Sequence, residues 1–325
     1  MRRRDFIALL GSAICWPLAA RAQPLTRNRK VGVLHPGQTA NVSMRLVAIR
    51  EGLGEADRGR DPGIELLVRL ADGDLSRLSP LAADLAAHRV DAIIAAGPAA
   101  VQSARTATET IPIVAIDLES DPVAAGLVSS LARPGGNITG VFLDFPEFSA
   151  KCLQLLTESV SGLGHIAVLW DPSTGRLQLD AIELAARQLN IGVRVFETRR
   201  LADIADAFYA IDRSRIQGAL ILSSPLFGGN PQMIADLALR RKLPIMSLFP
   251  DVAREGGMLA YGPDIQGFYR QAGAIARKVL LGAKPAEIPA ERPTRFQLVA
   301  NQRTANLFGI TLPATILAGA DEVIE

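Results

Sequence analysis

The chain has 325 residues, 49% hydrophobic and 21% charged, a balance that suits two globular domains and excludes a disordered chain. Its formal charge is +2; without residues 1–22 the count becomes 31 basic to 32 acidic residues. No net charge draws such a chain to nucleic acid or to a membrane surface.

Residues 1–22 read as an export signal. Arg2, Arg3 and Arg4 precede an apolar stretch from Phe6 to Ala20, and Ala20-Arg21-Ala22 supplies a small-residue cleavage pattern. The apolar run is too short for a membrane span, and RRDFI at 3–7 resembles the twin-arginine signature. Cleavage removes Cys15 and leaves Cys152 alone, in a helical pattern that predicts core packing.

Beyond the leader, strands and helices alternate. Strands are predicted at 31–34, 64–70, 92–96 and 113–116, with helices at 44–53, 75–88 and 99–108. Asp121-Pro122 is expected to open a further helix, with Asp121 as its cap. The turn Pro134-Gly135-Gly136-Asn137 precedes a strand at 138–142, read as the first passage to a second lobe. That lobe is expected to hold helices at 149–159, 177–189, 204–212 and 231–240, and strands at 166–170, 193–197, 219–222, 244–248 and 258–261. A long helix at 265–281, closed by Gly282, is expected to return to the first lobe. A last strand at 296–300 and a terminal helical pattern fall to the second.

The chain also repeats itself. KVGVLHPGQT at 30–39 is answered about 135 residues later by HIAVLWDPST at 165–174. VDAIIAAGP at 90–98 is matched by IQGALILSSP at 216–225, and IPIV at 111–114 by LPIM at 243–246. The fold class expected is therefore α/β: two similar doubly wound parallel-sheet lobes joined by a three-crossing hinge. The lobes are drawn as 23–141 plus 262–291 and 142–261 plus 292–325.

Ligands of open parallel sheets sit beyond the carboxyl ends of the strands. Gln38 and Thr39, with Gly97, Pro98 and Ala99, are thus candidate contacts from the first lobe. The small residues at 97–99 leave helix N–H groups open to a carboxylate, or serve only a tight turn. Thr39, Ser173, Thr174, Ser223 and Ser224 offer hydroxyls in matching positions of the two lobes, as ligand contacts or as helix caps. Asp117 and Asp251 are candidates for a ligand amine or for surface and capping roles, and the scarce aromatics Trp170, Phe227, Phe249 and Tyr261 for stacking or core filling. The three histidines, His35, His88 and His165, fall in unrelated settings, and no spacing suits a metal, a nucleophile elbow or a phosphate loop. No cofactor, no metal and no catalysis are expected. A sugar-operon repressor would share the two-lobed plan but needs a DNA-reading headpiece, where this chain carries an export signal.

IPIV at 111–114, DPVAAGLV at 121–128, RPGGNITG at 133–140, GGMLAYGPD at 256–264 and PTRFQLVAN at 293–301 resemble the ABC-transporter substrate-binding family that includes tryptophan/tyrosine-type binding proteins. The leader RRDFIALLG at 3–11 is similar to those of its members. The resemblance implies a type-I periplasmic binding protein, a monomer in the periplasm that presents a small solute to an ABC permease in the inner membrane. An amino acid or other small carboxylate is the expected ligand class. The alternative is a periplasmic sensing subunit for a kinase or chemoreceptor.

Overall fold

The computed structural model describes residues 28–54, 63–143, 146–212 and 215–325; the expected leader at 1–22 lies outside them. From Arg29 to Phe142 the chain forms β1 (Arg29–His35), α1 (Thr39–Leu53), β2 (Ile64–Leu70), α2 (Leu78–Ala87), β3 (Ala92–Ala96), α3 (Pro98–Ala107), β4 (Ile113–Asp117) and β5 (Ile138–Phe142). The strands are all parallel, in the order β2-β1-β3-β4-β5. Every residue of β3, β4 and β5 is buried, as continuous apolar runs covered on both faces require.

The second half repeats the plan with α4 (Pro146–Ser159), β6 (His165–Trp170), α5 (Leu177–Gln188), β7 (Gly192–Glu197), α6 (Leu201–Ala210), β8 (Gly218–Ile221), α7 (Pro225–Gly228), α8 (Pro231–Arg241), β9 (Ile245–Ser247), α9 (Pro250–Arg254) and β10 (Leu259–Pro263). After α10 (Ile265–Leu280) come β11 (Phe296–Asn301), α11 (Gln302–Leu307), α12 (Ala314–Gly319) and β12 (Glu322–Ile324). The second sheet runs β12-β11-β10-β9-β8-β6-β7. Its last five members reproduce the first sheet in reverse listing, so the repeated segments β1 and β6, β3 and β8, β4 and β9 hold equivalent places.

The long helix α10 does return to the first lobe, where it packs on α1 and on β3, β4 and β5. Two glycines let the helices meet backbone to backbone: a Cβ at Gly273 would lie 3.1 Å from Gly52 Cα and would overlap the carbonyl of Ile49. One apolar cluster then runs without a break from Val33, Ile94 and Ile116 through Ile265 and Phe268 to Phe227 and Phe249 of the second lobe. Cys152 is wholly buried in the second lobe, and burial pushes its thiol far above the ordinary range.

Three expectations are corrected. No helix follows Asp121-Pro122: Asp121 Oδ1 accepts from Val123 and Ala124 N–H, but Gly126 turns left-handed at φ 63° and stops the single turn. The strand 138–142 is not the passage between lobes; it is β5, paired with β4 along its whole length, and the chain leaves only afterwards. The predicted helix 75–88 begins as a 3-10 turn, Leu75–Arg77, before α2. The short strand β12 beside β11 had no reading in the sequence.

Candidate functional site

A cavity of about 520 Å³ lies between the lobes, at the carboxyl ends of β1, β2 and β3 on one side and β6, β7 and β8 on the other. The first lobe contributes Gln38, the loop Asp72–Ser76, and Gly97, Pro98 and Ala99. The second contributes Asp171 and Ser173, Arg199 to Leu201, Pro225 and Leu226, and Gly229 and Asn230.

The two walls differ in what they leave open. The N-cap positions of α1 and α3, Gln38 and Gly97, carry no side-chain cap hydrogen bond, so these helix ends can receive an anion. Across the cleft α5 and α8 also begin without a side-chain cap, but the 3-10 turn Pro172–Thr174 and the start of α7 are capped from within. Asp171 accepts from Ser173 N–H at 2.9 Å, and Ser224 Oγ accepts from Leu226 N–H at 2.9 Å while donating to Asp171 Oδ2 at 2.9 Å. The first lobe thus offers backbone donors and the second a buried carboxylate, a polarity suited to a ligand with an acidic and a basic end. Proline and leucine side chains, Pro36, Pro98, Pro225, Leu75, Leu201 and Leu226, make the apolar walls.

Beneath the cavity the lobes touch along a polar seam. Arg45, on α1 and 9% exposed, donates from Nη2 to the carbonyl of Gly228 at 2.6 Å. Its Nη1 lies 3.1 Å from His35 Nε2, which is 3.1 Å from Tyr269 Oη. Burial, and then the Arg45 charge, hold His35 well below its usual range, so it is neutral. Its Nδ1 accepts from Gly37 N–H at 2.8 Å, which leaves the ring hydrogen on Nε2. Further along, Ser223 Oγ donates to Glu119 Oε1 at 2.6 Å. Burial and the neighbouring Asp117 push Glu119 up to about 8, and burial likewise raises Asp117. Burial raises the Tyr269 phenol too.

Of the sequence-picked residues, Gln38, Gly97, Pro98, Ala99 and Ser173 border the cavity. Thr39 is the exposed first residue of α1. Thr174 is buried and donates to the Asp171 carbonyl, and Ser224 is a helix cap. Asp117 and Ser223 belong to the seam below; Asp117 Oδ1 accepts from Glu119 and Ser120 N–H. Phe249 borders a small chamber of about 30 Å³ there, beside Arg45, Glu119 and Tyr269.

The stacking aromatics fall elsewhere, and among the described residues bordering the interlobe cavity none is aromatic. Trp170 donates from Nε1 to the Gly175 carbonyl with Arg176 over its ring, Phe227 is wholly buried, and Tyr261 stacks on Phe148 at 5.0 Å. Asp251 is outside the cleft as well, on α9 and paired with Arg254 at 2.9 Å. An Asp251→Ala variant is expected to change stability by less than about 0.5 kcal/mol and to leave ligand affinity untouched. Titration of the variant with any ligand of the wild type checks this. Asp72, Asp74, Arg199 and Asn230 were not picked. The first three lie near the ends of β2 and β7, where the strand-end rule points.

Two sheets of this order facing each other across such a cleft define a type-I periplasmic binding protein fold. Residues 30–324 match the family described as ABC transporter substrate binding protein, and the chain belongs to that family, a solute-binding one. A tyrosine-binding protein of Clostridioides difficile (strain R20291) is 25% identical over 252 residues, 76% of this chain and 72% of that protein. The crystal structure of an ABC domain in complex with L-Trp from Streptococcus pneumonia matches with a TM-score of 0.82 and 24% identity, over 92% of this chain and all of that one (100%). A conserved domain protein from Vibrio cholerae O1 biovar eltor matches with a TM-score of 0.82 and 22% identity, over 91% of this chain and 100% of that one. Among the described residues no helix is long and apolar enough to cross a membrane.

Proposed function

We propose that the protein is the exported solute-binding component of an ABC importer, which captures an amino acid or related small carboxylate between its lobes and delivers it to a membrane permease. The observation that carries this reading is the polarity of the cleft: uncapped ends of α1 and α3 on one wall, buried Asp171 on the other. An α-carboxylate docks at the helix ends and an ammonium group turns to Asp171. The names of relatives that bind tyrosine and tryptophan support an amino acid. The proline and leucine walls supply contact for an apolar side chain without a stacking ring.

Export follows from the twin-arginine-type leader at 1–22 and places the mature protein in the periplasm, as a monomer. The lobes, 23–141 plus 262–291 and 142–261 plus 292–325, rotate as units about the segments that join them. Ligand touching both walls favours the closed form by its differential affinity.

A thermal-shift series on protein stripped by unfolding and refolding, against the twenty amino acids and small monocarboxylates, tests the reading. A ligand at 100 times its dissociation constant is expected to add about 2.7 kcal/mol to stability. A panel without any shift sinks the amino-acid and carboxylate reading.

A further inference from the structure

We propose that closing the lobes takes up a proton from solvent, because closure shuts Glu119 of the first lobe away from water, beside Asp117 and beneath Ser223 of the second. The proposal rests on the reading of the cleft as a site that opens and closes.

Glu119 follows β4 and Ser223 follows β8, so their 2.6 Å hydrogen bond exists only while the lobes are together. In that state Glu119 is 3% exposed and Ser223 1%. Beside them Asp117 is fully buried, and its Oδ2 has no hydrogen-bond partner. Two carboxyl groups thus share one dry pocket, and both cannot hold a negative charge there at low cost.

The other ionisable groups around the pair do not remove the conflict. From α1, Arg45 directs Nη2 to the Gly228 carbonyl and Nη1 toward His35. From β1, His35 is neutral. From α10, Tyr269 is a buried phenol with its hydroxyl against His35. From the second lobe the Ser223 hydroxyl donates to Glu119, and the apolar side chains of Phe249 and Pro225, with Gly228, complete the chamber wall. No metal or redox change is involved: one O–H bond forms on a carboxylate as solvent gives up one proton.

The direction follows from the two states. Open, Glu119 loses the burial that is the first cause of its raised value, while Asp117 of the same lobe stays beside it and keeps it above the ordinary 4.5; closed, it is pushed up to about 8, with the Ser223 hydroxyl pulling more weakly the other way. Between the open and closed values the closed form holds one more proton than the open form, so falling pH favours closure. The closure constant rises by at most about tenfold per pH unit in that window and is flat outside it. A ligand of the closed form therefore binds more tightly at pH 5.5 than at pH 7.5.

Small-angle X-ray scattering of the ligand-free chain from pH 5 to pH 9 reads the lobe separation directly. The wild type is expected to contract as pH falls, with the midpoint set by the proton taken up. Glu119→Gln keeps an acceptor for Ser223 without the charge, and its separation is expected to be constant across the series. Ser223→Ala keeps both carboxyls and loses the latch; it is expected to be more open at every pH while retaining the slope. A wild-type separation that does not change with pH, or a Glu119→Gln slope equal to the wild type's, overturns the proposal. Because no ligand is used, a failed amino-acid panel leaves this result standing, and the converse holds.

Discussion

A Gly97→Val substitution is expected to hold the lobes apart and to reduce the closed population at least a hundredfold. Gly97 is the N-cap of α3, with φ 82° and ψ 159°, a conformation open to glycine and strained for any L side chain by about 1–3 kcal/mol. It also faces Pro225 across the cleft. A Cβ there would lie 2.7 Å from Cγ of Pro225, and a proline ring can yield only by a change of pucker. The strain is borne by the first lobe in both states, whereas the clash exists only when the lobes meet. A hundredfold loss corresponds to about 2.8 kcal/mol, within reach of one buried overlap between rigid groups. The two parts separate in a double-mutant cycle of Gly97→Ala with Pro225→Ala. Closure, read by scattering and by ligand-induced thermal shift, should recover in the double variant, while the stability deficit of Gly97→Ala should persist. Normal closure by Gly97→Val would refute the contact.

The second large effect concerns the joint that binds α10 to the first lobe. Gly273→Val is expected to cost about 3 kcal/mol or more, seen as a lowered urea midpoint. At this crossing α1 and α10 meet through backbone, with Gly52 and Gly273 opposed. A branched side chain must lift α10 away, and with it Phe268, Ala272, Ile275 and Ala276, all now buried against the lobe. Ala272 lies one residue away but already carries a Cβ in the packed structure, so Ala272→Ser is a milder control at about 1 kcal/mol. Equal midpoints for Gly273→Val and the wild type would mean that the helices are not packed this closely.

Much of the architecture was legible because the chain states it twice. An apolar run ending in Pro, Gly, Ser or Thr predicts a strand whose end faces a ligand, and the copies at 30–39 and 165–174 became β1 and β6. The same rule placed Gln38, Gly97 and Ser173 at the cavity. Applied to strands outside the echo, it points equally to the loops after β2 and β7, which supply Asp72, Asp74 and Arg199. What sequence could not give was pairing across long separations. Arg45 sits on a helix whose neighbours Met44 and Val47 are exposed, and its burial is explained by the Gly228 carbonyl, 183 residues away, and the Tyr269 ring over which its guanidinium lies. Asp251 looked available because its partner is a surface arginine one turn ahead. Tyr261 looked like a ligand platform, but Phe148 and Phe296 close over it from two other elements. The missing helix after Asp121 ends at Gly126, whose left-handed φ stops the chain after one turn.

The late return of α10 bears on how the molecule is made. The first sheet is complete by Phe142, yet the helix that covers α1, β3, β4 and β5 is not encountered until Ile265–Leu280. A nascent chain that has released the first half from the ribosome therefore carries a sheet with one apolar flank still bare. The second lobe in turn waits for β11 to pair with β10. The first lobe is completed by α10 and the second only by the strands that follow it, so synthesis finishes both lobes late and close together. Its unfinished form is the one with most need of a chaperone.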